Sequence, residues 1–195
     1  LLPVDFGPGQ QALYREMLLT ARDRVASIIE QLGFKKARIS VLTELLRLRQ
    51  VCCDPRLLKL PPGTRLPPSA KLEAFAELVR DILGEGHRAL VFSQFTELLG
   101  YLTAWADEEG LRYEYLDGET PSHERQERID RFNSQDGAPL FFLSLKAGGT
   151  GLNLTAADYV IHFDPWWNPA AEQQAIDRVH RIGQTKPVFS YKLIA

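Results

Sequence analysis

The 195-residue chain is poor in cysteine, histidine and methionine, and it has no long apolar run. Its two cysteines, Cys52 and Cys53, are neighbours. Adjacent thiols neither staple a small fold in the usual way nor provide the spaced ligands of a zinc site. They point to buried or idle thiols in a reducing compartment. His87, His123, His162 and His180 show no metal-ligand spacing, and no Ser-His-Asp or Cys-His arrangement is suggested, so no metal is assigned. The apolar run at 140–145 is closed by Lys146, far short of the roughly 20 residues that cross a bilayer, which excludes a membrane helix. No charged-then-apolar leader opens the sequence. The expectation is an intracellular chain excised from a longer protein, in cytoplasm or nucleoid if prokaryotic and in the nucleus if eukaryotic.

An excess of one charge is also missing: the net charge is −2. The charge is unevenly spread, with 11 Lys/Arg against 6 Asp/Glu in residues 1–70 and 12 against 19 in residues 71–195. Bulk charge does not mark a nucleic-acid binder, so any polyanion site must be local. What is present is the balance of an ordinary globular protein, 45% hydrophobic and 25% charged. At roughly 150 residues per domain, the length leaves room for one domain and an appendage.

Leu13, Met17, Leu18, Val25, Ile28, Ile29 and Leu32 recur at three- and four-residue spacing and predict an amphipathic helix from Pro8 to about Gln31. Leu42, Leu45, Leu46, Leu48 and Val51 predict a second over 40–52, completing a helical hairpin. Pro55, Pro61, Pro62, Pro67 and Pro68 then break helices, so 54–68 reads as an extended connector and the domains as 1–68 and 69–195. Beyond it, helices at 69–83 (Ser69 as N-cap), 96–109, 121–132 (Thr120 as cap, Pro121 in the first turn) and 169–182 alternate with strands at 88–93, 112–116, 140–145, 158–163 and 188–193. Such alternation predicts right-handed crossovers and a mostly parallel sheet. Consecutive apolar residues, as in 89–92 and 140–143, suit strands buried on both faces. The fold class is α/β, a parallel sheet flanked by helices, with an N-terminal helical hairpin.

In such sheets ligands sit at the carboxyl ends of the strands. There, Gly148, Gly149 and Gly151 follow Lys146, and glycine lets amides approach a phosphate without a Cβ in the way. The segment is equally a tight strand-to-helix turn, and it matches neither G-x-x-x-x-G-K-[ST] nor G-x-G-x-x-G. On the helix at 169–182, Gln174, Arg178 and Arg181 share one stripe. Two guanidinium groups so placed suit nucleotide phosphates, or form a solvated face paired with Glu172 and Asp177. Trp166 and Trp167, bounded by prolines, suggest one indole turned inward and one offered to a partner. Ser93, Gln94, Thr120, Ser144 and Lys146 fall at strand ends, where such groups hold a phosphodiester backbone or cap the chain locally.

Taken in order, VFSQF, YLDGET, LSLKAGGTGLNLTAADYVIHFDPWWNP and QAIDRVHRIGQ resemble the second RecA-like lobe of the Swi/Snf family of superfamily-two DNA-translocating ATPases, across residues 69–195. RQVCCDPRLL at 49–58 resembles the segment preceding that lobe, with Asp54 where the family usually has histidine. The resemblance implies a RecA-like, P-loop NTPase-type second helicase lobe. It implies DNA-backbone contacts from Ser93 and Gln94 in motif IV and from Ser144, Lys146 and Gly148 in motif V. Gly149 and Gly151 of motif V and Gln174 of motif VI would serve the nucleotide. Arg178 and Arg181 of motif VI would be the catalytic arginines reaching the ATP phosphates. Trp166 and Trp167 match a signature that couples DNA engagement to turnover, with Trp167 on the DNA side.

The implied activity is ATP hydrolysis coupled to movement along double-stranded DNA and to remodelling of chromatin or other DNA-bound protein complexes. The implied cofactor is ATP with Mg²⁺ in the full-length protein, with none expected on this segment. The Walker A lysine and the acidic Mg²⁺-binding box belong to the family's first lobe and are absent here. The implied partners are double-stranded DNA, DNA-bound proteins and that first RecA-like lobe, which LLPVDFGPGQQALYREML looks to be leaving; no membrane is implied. The end at YKLIA falls short of the family's following helix. Two rival readings are a non-catalytic interaction module built on this lobe and an independent nucleotide-binding enzyme, the latter disfavoured by the missing phosphate loop.

Overall fold

The computed structural model describes residues 1–148, 152–166, 170 and 187–195. They form two compact units, Val4–Glu73 with Ala195, and Leu1–Pro3 with Ala74–Ile194. No helix among the described residues is long and apolar enough to cross a membrane.

The first unit is the helical hairpin, α1 (Pro8–Leu32) and α2 (Phe34–Cys53). Proline at the start of α1 suits a position whose N–H has no intrahelical partner. The connection is shorter than expected, because α2 begins at Phe34 rather than near Ser40. Lys35, Lys36, Ala37 and Arg38 are good helix formers without an apolar rhythm, so periodicity alone missed them. The reversal falls on Gly33, whose φ of +73° a side chain would resist, and whose N–H donates to the Ile29 carbonyl at 2.9 Å. Buried Ala21 and Ala37 lie on α1 and α2, and Arg24 donates to the buried Glu44 carboxylate at 2.6 Å.

Gln10 is also buried, and both ends of its amide are hydrogen-bonded. It donates to the Val51 carbonyl at 2.8 Å and accepts from the Ala70 N–H at 3.0 Å, joining α1 to the end of α2 and to the start of α3 (Ala70–Gly84). The expected connector opens with a 3₁₀ turn, Pro55–Leu58. Asp54 makes that turn possible: its buried carboxylate accepts from the Arg56 N–H at 2.9 Å and from the Arg56 guanidinium at 2.9 and 2.8 Å. Ser69 caps α3 as expected, its Oγ accepting from the Leu72 N–H at 3.2 Å. Burial pushes the Cys52 thiol pKa up, consistent with a quiet thiol.

The second unit is the parallel α/β sheet expected from the sequence. Its strands are β1 (Leu2–Pro3), β2 (Ala89–Ser93), β3 (Tyr113–Leu116), β4 (Leu140–Ser144), β5 (Tyr159–His162) and β6 (Phe189–Ile194). They lie in the order β1–β6–β5–β2–β4–β3, all parallel. The two-residue β1 is too short to carry a pattern and was not expected. Between strands run α4 (Thr96–Glu108), α5 (Ser122–Asn133) and the short α6 (Leu145–Gly148), so Leu145 begins a helix instead of ending a strand. Pro121, not Thr120, occupies the N-cap of α5, because the Thr120 hydroxyl is engaged by the preceding loop. The helix expected at 169–182 lies outside the described residues apart from Ala170.

Register explains why β2 and β4 are apolar at successive positions. Leu90 pairs with Phe141 and Val160, and these residues pack with Ile129 and Phe132 of α5. Val91 pairs with Phe142 and Ile161 on the opposite face. There Phe75 of α3 meets Trp105 of α4 and Phe163, with ring centroids 5.3 and 5.6 Å apart. Each fully buried Phe or Leu contributes about 1.5–3 kcal/mol.

One turn locks this sheet at its amino end. Arg88, at the entrance to β2, donates to the carbonyls of Phe132 at 2.6 Å, Ser134 at 2.8 Å and Gln135 at 2.5 Å, holding the exit of α5. Gly137 admits this arrangement: a Cβ there would lie 2.5 Å from the carbonyl oxygens of Arg131 and Phe132 and 2.9 Å from Arg88 Nη1. Gly137→Ala is therefore expected to destabilise the chain by about 1–3 kcal/mol, read from the urea midpoint. A shift equivalent to less than about 0.5 kcal/mol would show that the turn relaxes freely.

Candidate nucleic-acid interface

Where the apolar strands end, the chemistry changes. The carboxyl ends of β2, β3 and β4 border a cleft of about 470 Å³ that brings Gln94, Asp117, Ser144, Lys146 and Trp166 together. Parallel sheets direct all their strand ends to one edge, so polar residues distant in sequence converge there.

Each loop of the cleft is held by its own hydrogen bonds. After β2, the buried Ser93 Oγ accepts from the Phe95 N–H at 3.0 Å, and the Gln94 N–H donates to the buried Asp164 carboxylate at 3.2 Å. After β4, the buried Ser144 Oγ accepts from the Ala147 N–H at 3.2 Å and starts α6. Lys146 stands exposed on that helix, and Gly148 is its last residue. After β5, the half-buried Trp166 both packs against the apolar core and lines the cleft.

The loop after β3 is the most heavily bonded. The Asp117 carboxylate accepts from the Tyr115 hydroxyl at 2.9 Å, the Glu119 N–H at 2.9 Å, the Thr120 N–H at 3.0 Å and the Thr120 hydroxyl at 3.1 Å. Burial works to raise its pKa, but these donors together hold it below the usual carboxylate range. For the Tyr115 hydroxyl, burial first and the Asp117 charge beside it push the pKa well above the ordinary phenol value. Arg125 of α5 closes the loop from below, donating to the Thr120 carbonyl at 2.9 Å and to those of Asp117 and Gly118 at 3.3 Å.

Of the residues singled out from sequence, Gln94, Ser144 and Lys146 share the cleft wall, and Ser93 lies behind it. Gly149, Gly151, Trp167, Gln174, Arg178 and Arg181 lie outside the described residues. Sequence reading passed over Asp117, Arg125 and Asp164, which build the loops. The Asp-Gly-x-Thr pattern at 117–120 was the available signal, since Asp followed by Gly favours a side-chain-capped turn.

The wall carries the Lys146 ammonium, the half-buried Gln94 amide, the hydroxyls of Thr96 and Ser144, and the carboxylates of Asp117 and Glu119. Lys146 is the one cation among the described residues that line it. A wall with a single ammonium beside these acids can engage phosphate oxygens by charge only through Lys146, a contact that reads no bases. It does not fit Mg²⁺, because Asp117 is spent on internal donors and no group of three or more His, Cys, Asp or Glu is placed for a metal among the described residues.

Comparison with known proteins agrees with this geometry. Residues 70–183 match the helicase conserved C-terminal domain. An uncharacterized ATP-dependent helicase of Mycoplasma pneumoniae is 39% identical over 194 residues, covering 98% of this chain and 18% of that protein. The SWI/SNF-related matrix-associated actin-dependent regulator of chromatin subfamily A member 1 of Mus musculus is 42% identical over 172 residues, covering 82% of this chain and 16% of that protein. The solved Sulfolobus solfataricus SWI2/SNF2 ATPase core in complex with dsDNA superposes with a TM-score of 0.80 at 32% identity, covering 98% of this chain and 39% of that chain. The chain thus spans less than a fifth of the length of these two sequence relatives. The family match covers more than half of the chain and the structural match nearly all of it, and the chain belongs to the helicase conserved C-terminal domain family as a second RecA-like lobe of the Swi/Snf type.

Proposed function

We propose that the chain is the second motor lobe of a Swi/Snf-type DNA-dependent ATPase. The parent protein couples ATP hydrolysis to translocation on double-stranded DNA and so displaces or remodels DNA-bound proteins, within the cell interior. In this reading residues 1–68 are a helical protrusion and linker, and residues 69–195 are the lobe. The observation that carries it is the exposed Lys146 beside Gln94 on a cleft at the carboxyl ends of the sheet, in a lobe whose relative was solved on dsDNA.

The two buried serines act differently from the exposed groups. Ser93 and Ser144 fix the loop backbones through their Oγ atoms, and Gln94, Lys146 and Gly148 on those loops meet the DNA phosphates. Trp167, next to Trp166, completes the DNA side. This division supports tracking along a duplex, because contacts to phosphate alone are independent of sequence.

The nucleotide belongs to the other group of residues: Gly149, Gly151 and Gln174 line its phosphates, and Arg178 and Arg181 are the catalytic pair. ATP with Mg²⁺, when bound, supplies the phosphoryl group and neutralises the charge developing on it. The ions and the β- and γ-phosphates are held by the first RecA-like lobe, and the arginines complete that site across the interlobe gap.

Two measurements on the parent protein test the assignment. Arg181→Ala is expected to lower DNA-stimulated phosphate release on the order of a thousandfold while leaving the DNA dissociation constant at fixed salt unchanged. Unaltered turnover would return the arginine to a solvated helix face. Lys146→Ala is expected to weaken duplex binding equally across sequences and to reduce the slope of log affinity against log salt by about 1. An unchanged slope would remove Lys146 from the DNA contact.

A further inference from the structure

Seven of the ten exposed large apolar side chains among the described residues lie between Leu18 and Leu46, on α1 and α2. On α2 the pattern has two sides. Ala37, Glu44 and Val51, seven residues apart, are buried; Glu44 meets Arg24 of α1, and the Val51 carbonyl meets Gln10 of α1. That side faces α1. Ile39, Leu42 and Leu46, at three- and four-residue spacing, fall on the opposite side, with Ile39 78% and Leu42 65% exposed.

The charge on α2 is equally one-sided. The helix carries five basic side chains and a single acid, Glu44, which is committed to Arg24. Lys35 and Arg38 stand exposed along the same stripe as Ile39 and Leu42. The outer face is therefore an aliphatic ridge accompanied by basic groups, with no acid of α2 on that side.

We propose that this outer face of α2 is a docking site for a partner protein that presents an acidic amphipathic helix. The i, i+3, i+7 spacing of Ile39, Leu42 and Leu46 is the width that a single packed helix covers. Carboxylates flanking the partner's apolar stripe would meet Lys35 and Arg38, and complementary charge raises both the rate and the specificity of such encounters. A second copy of this hairpin would bring basic face against basic face. A membrane surface fits poorly, since α2 has no aromatic residue after Phe34, whereas helices lying in a lipid interface use them. Duplex DNA would satisfy the charges and leave the aliphatic ridge in water.

The test uses the whole 195-residue chain and a labelled helical peptide of about five turns, with leucines at i, i+3 and i+7 and glutamates beside them. Fluorescence anisotropy is expected to show saturable binding that Leu42→Glu weakens about tenfold or more. Lys35→Glu with Arg38→Glu is expected to weaken it further at low salt than at high salt. Leu42 is exposed, so circular dichroism and thermal unfolding of Leu42→Glu should match the parent chain, and a peptide with lysine in place of glutamate should not bind. The proposal is overturned by absence of binding or by binding indifferent to Leu42→Glu. It is equally overturned if the sensitive ligand proves to be phosphatidylserine vesicles or a labelled DNA duplex, or if sedimentation shows the face occupied by a second copy.

Discussion

The sheet depends on burial of β2 from both sides. With β5 on one flank and β4 on the other, this strand has no edge, and helices cover its two faces, so every residue from Ala89 to Ser93 is buried. A strand in that position can carry polar groups only where it ends. The constraint extends to its neighbours: β4 is buried throughout, and its first hydroxyl, Ser144, appears at its last position in register with Ser93. Hydrophobic burial and the parallel topology thus act together to place polar loops on one rim, which is where the cleft lies.

Those loops are then organised by hydrogen bonds that replace water rather than by packing. Asp117 gathers four donors, Arg125 gathers three carbonyls, and Ser93 and Ser144 each accept one backbone N–H. Saturated in this way, they leave Lys146 as the exposed cation of that wall among the described residues, on a preorganised backbone. A preorganised loop spares any ligand it meets the entropy of ordering that loop.

How much was legible in the sequence follows from which interactions are local. Strands such as 89–93 and 140–144 announce themselves because double-sided burial demands consecutive apolar residues. The hairpin helices announce themselves through apolar spacing, yet the first turns of α2 do not, since Lys35 to Arg38 lack that rhythm and only the conformation of Gly33 fixes the reversal. β1 was invisible because two residues carry no period. Gln94, Ser144, Lys146 and Trp166 of the cleft were legible, whereas Asp117, Gly118 and Glu119 of the same wall, and the division of labour within it, were not. Nothing local distinguishes a serine that caps a loop from one that meets a phosphate; tertiary burial decides, as it does for Ser93 and Ser144. The Arg88 and Gly137 lock at the opposite edge is likewise a long-range arrangement with no sequence signature.

The central claim is that the polar rim, and not the opposite edge of the sheet, meets the duplex. Site-specific photocrosslinking in the parent protein tests it most directly, with a benzophenone side chain placed at Lys146 on the rim or at Arg112, which precedes β3 at the opposite end of the strands. The account predicts DNA crosslinks from the first position and none above background from the second. Crosslinks from Arg112 with none from Lys146 would contradict it.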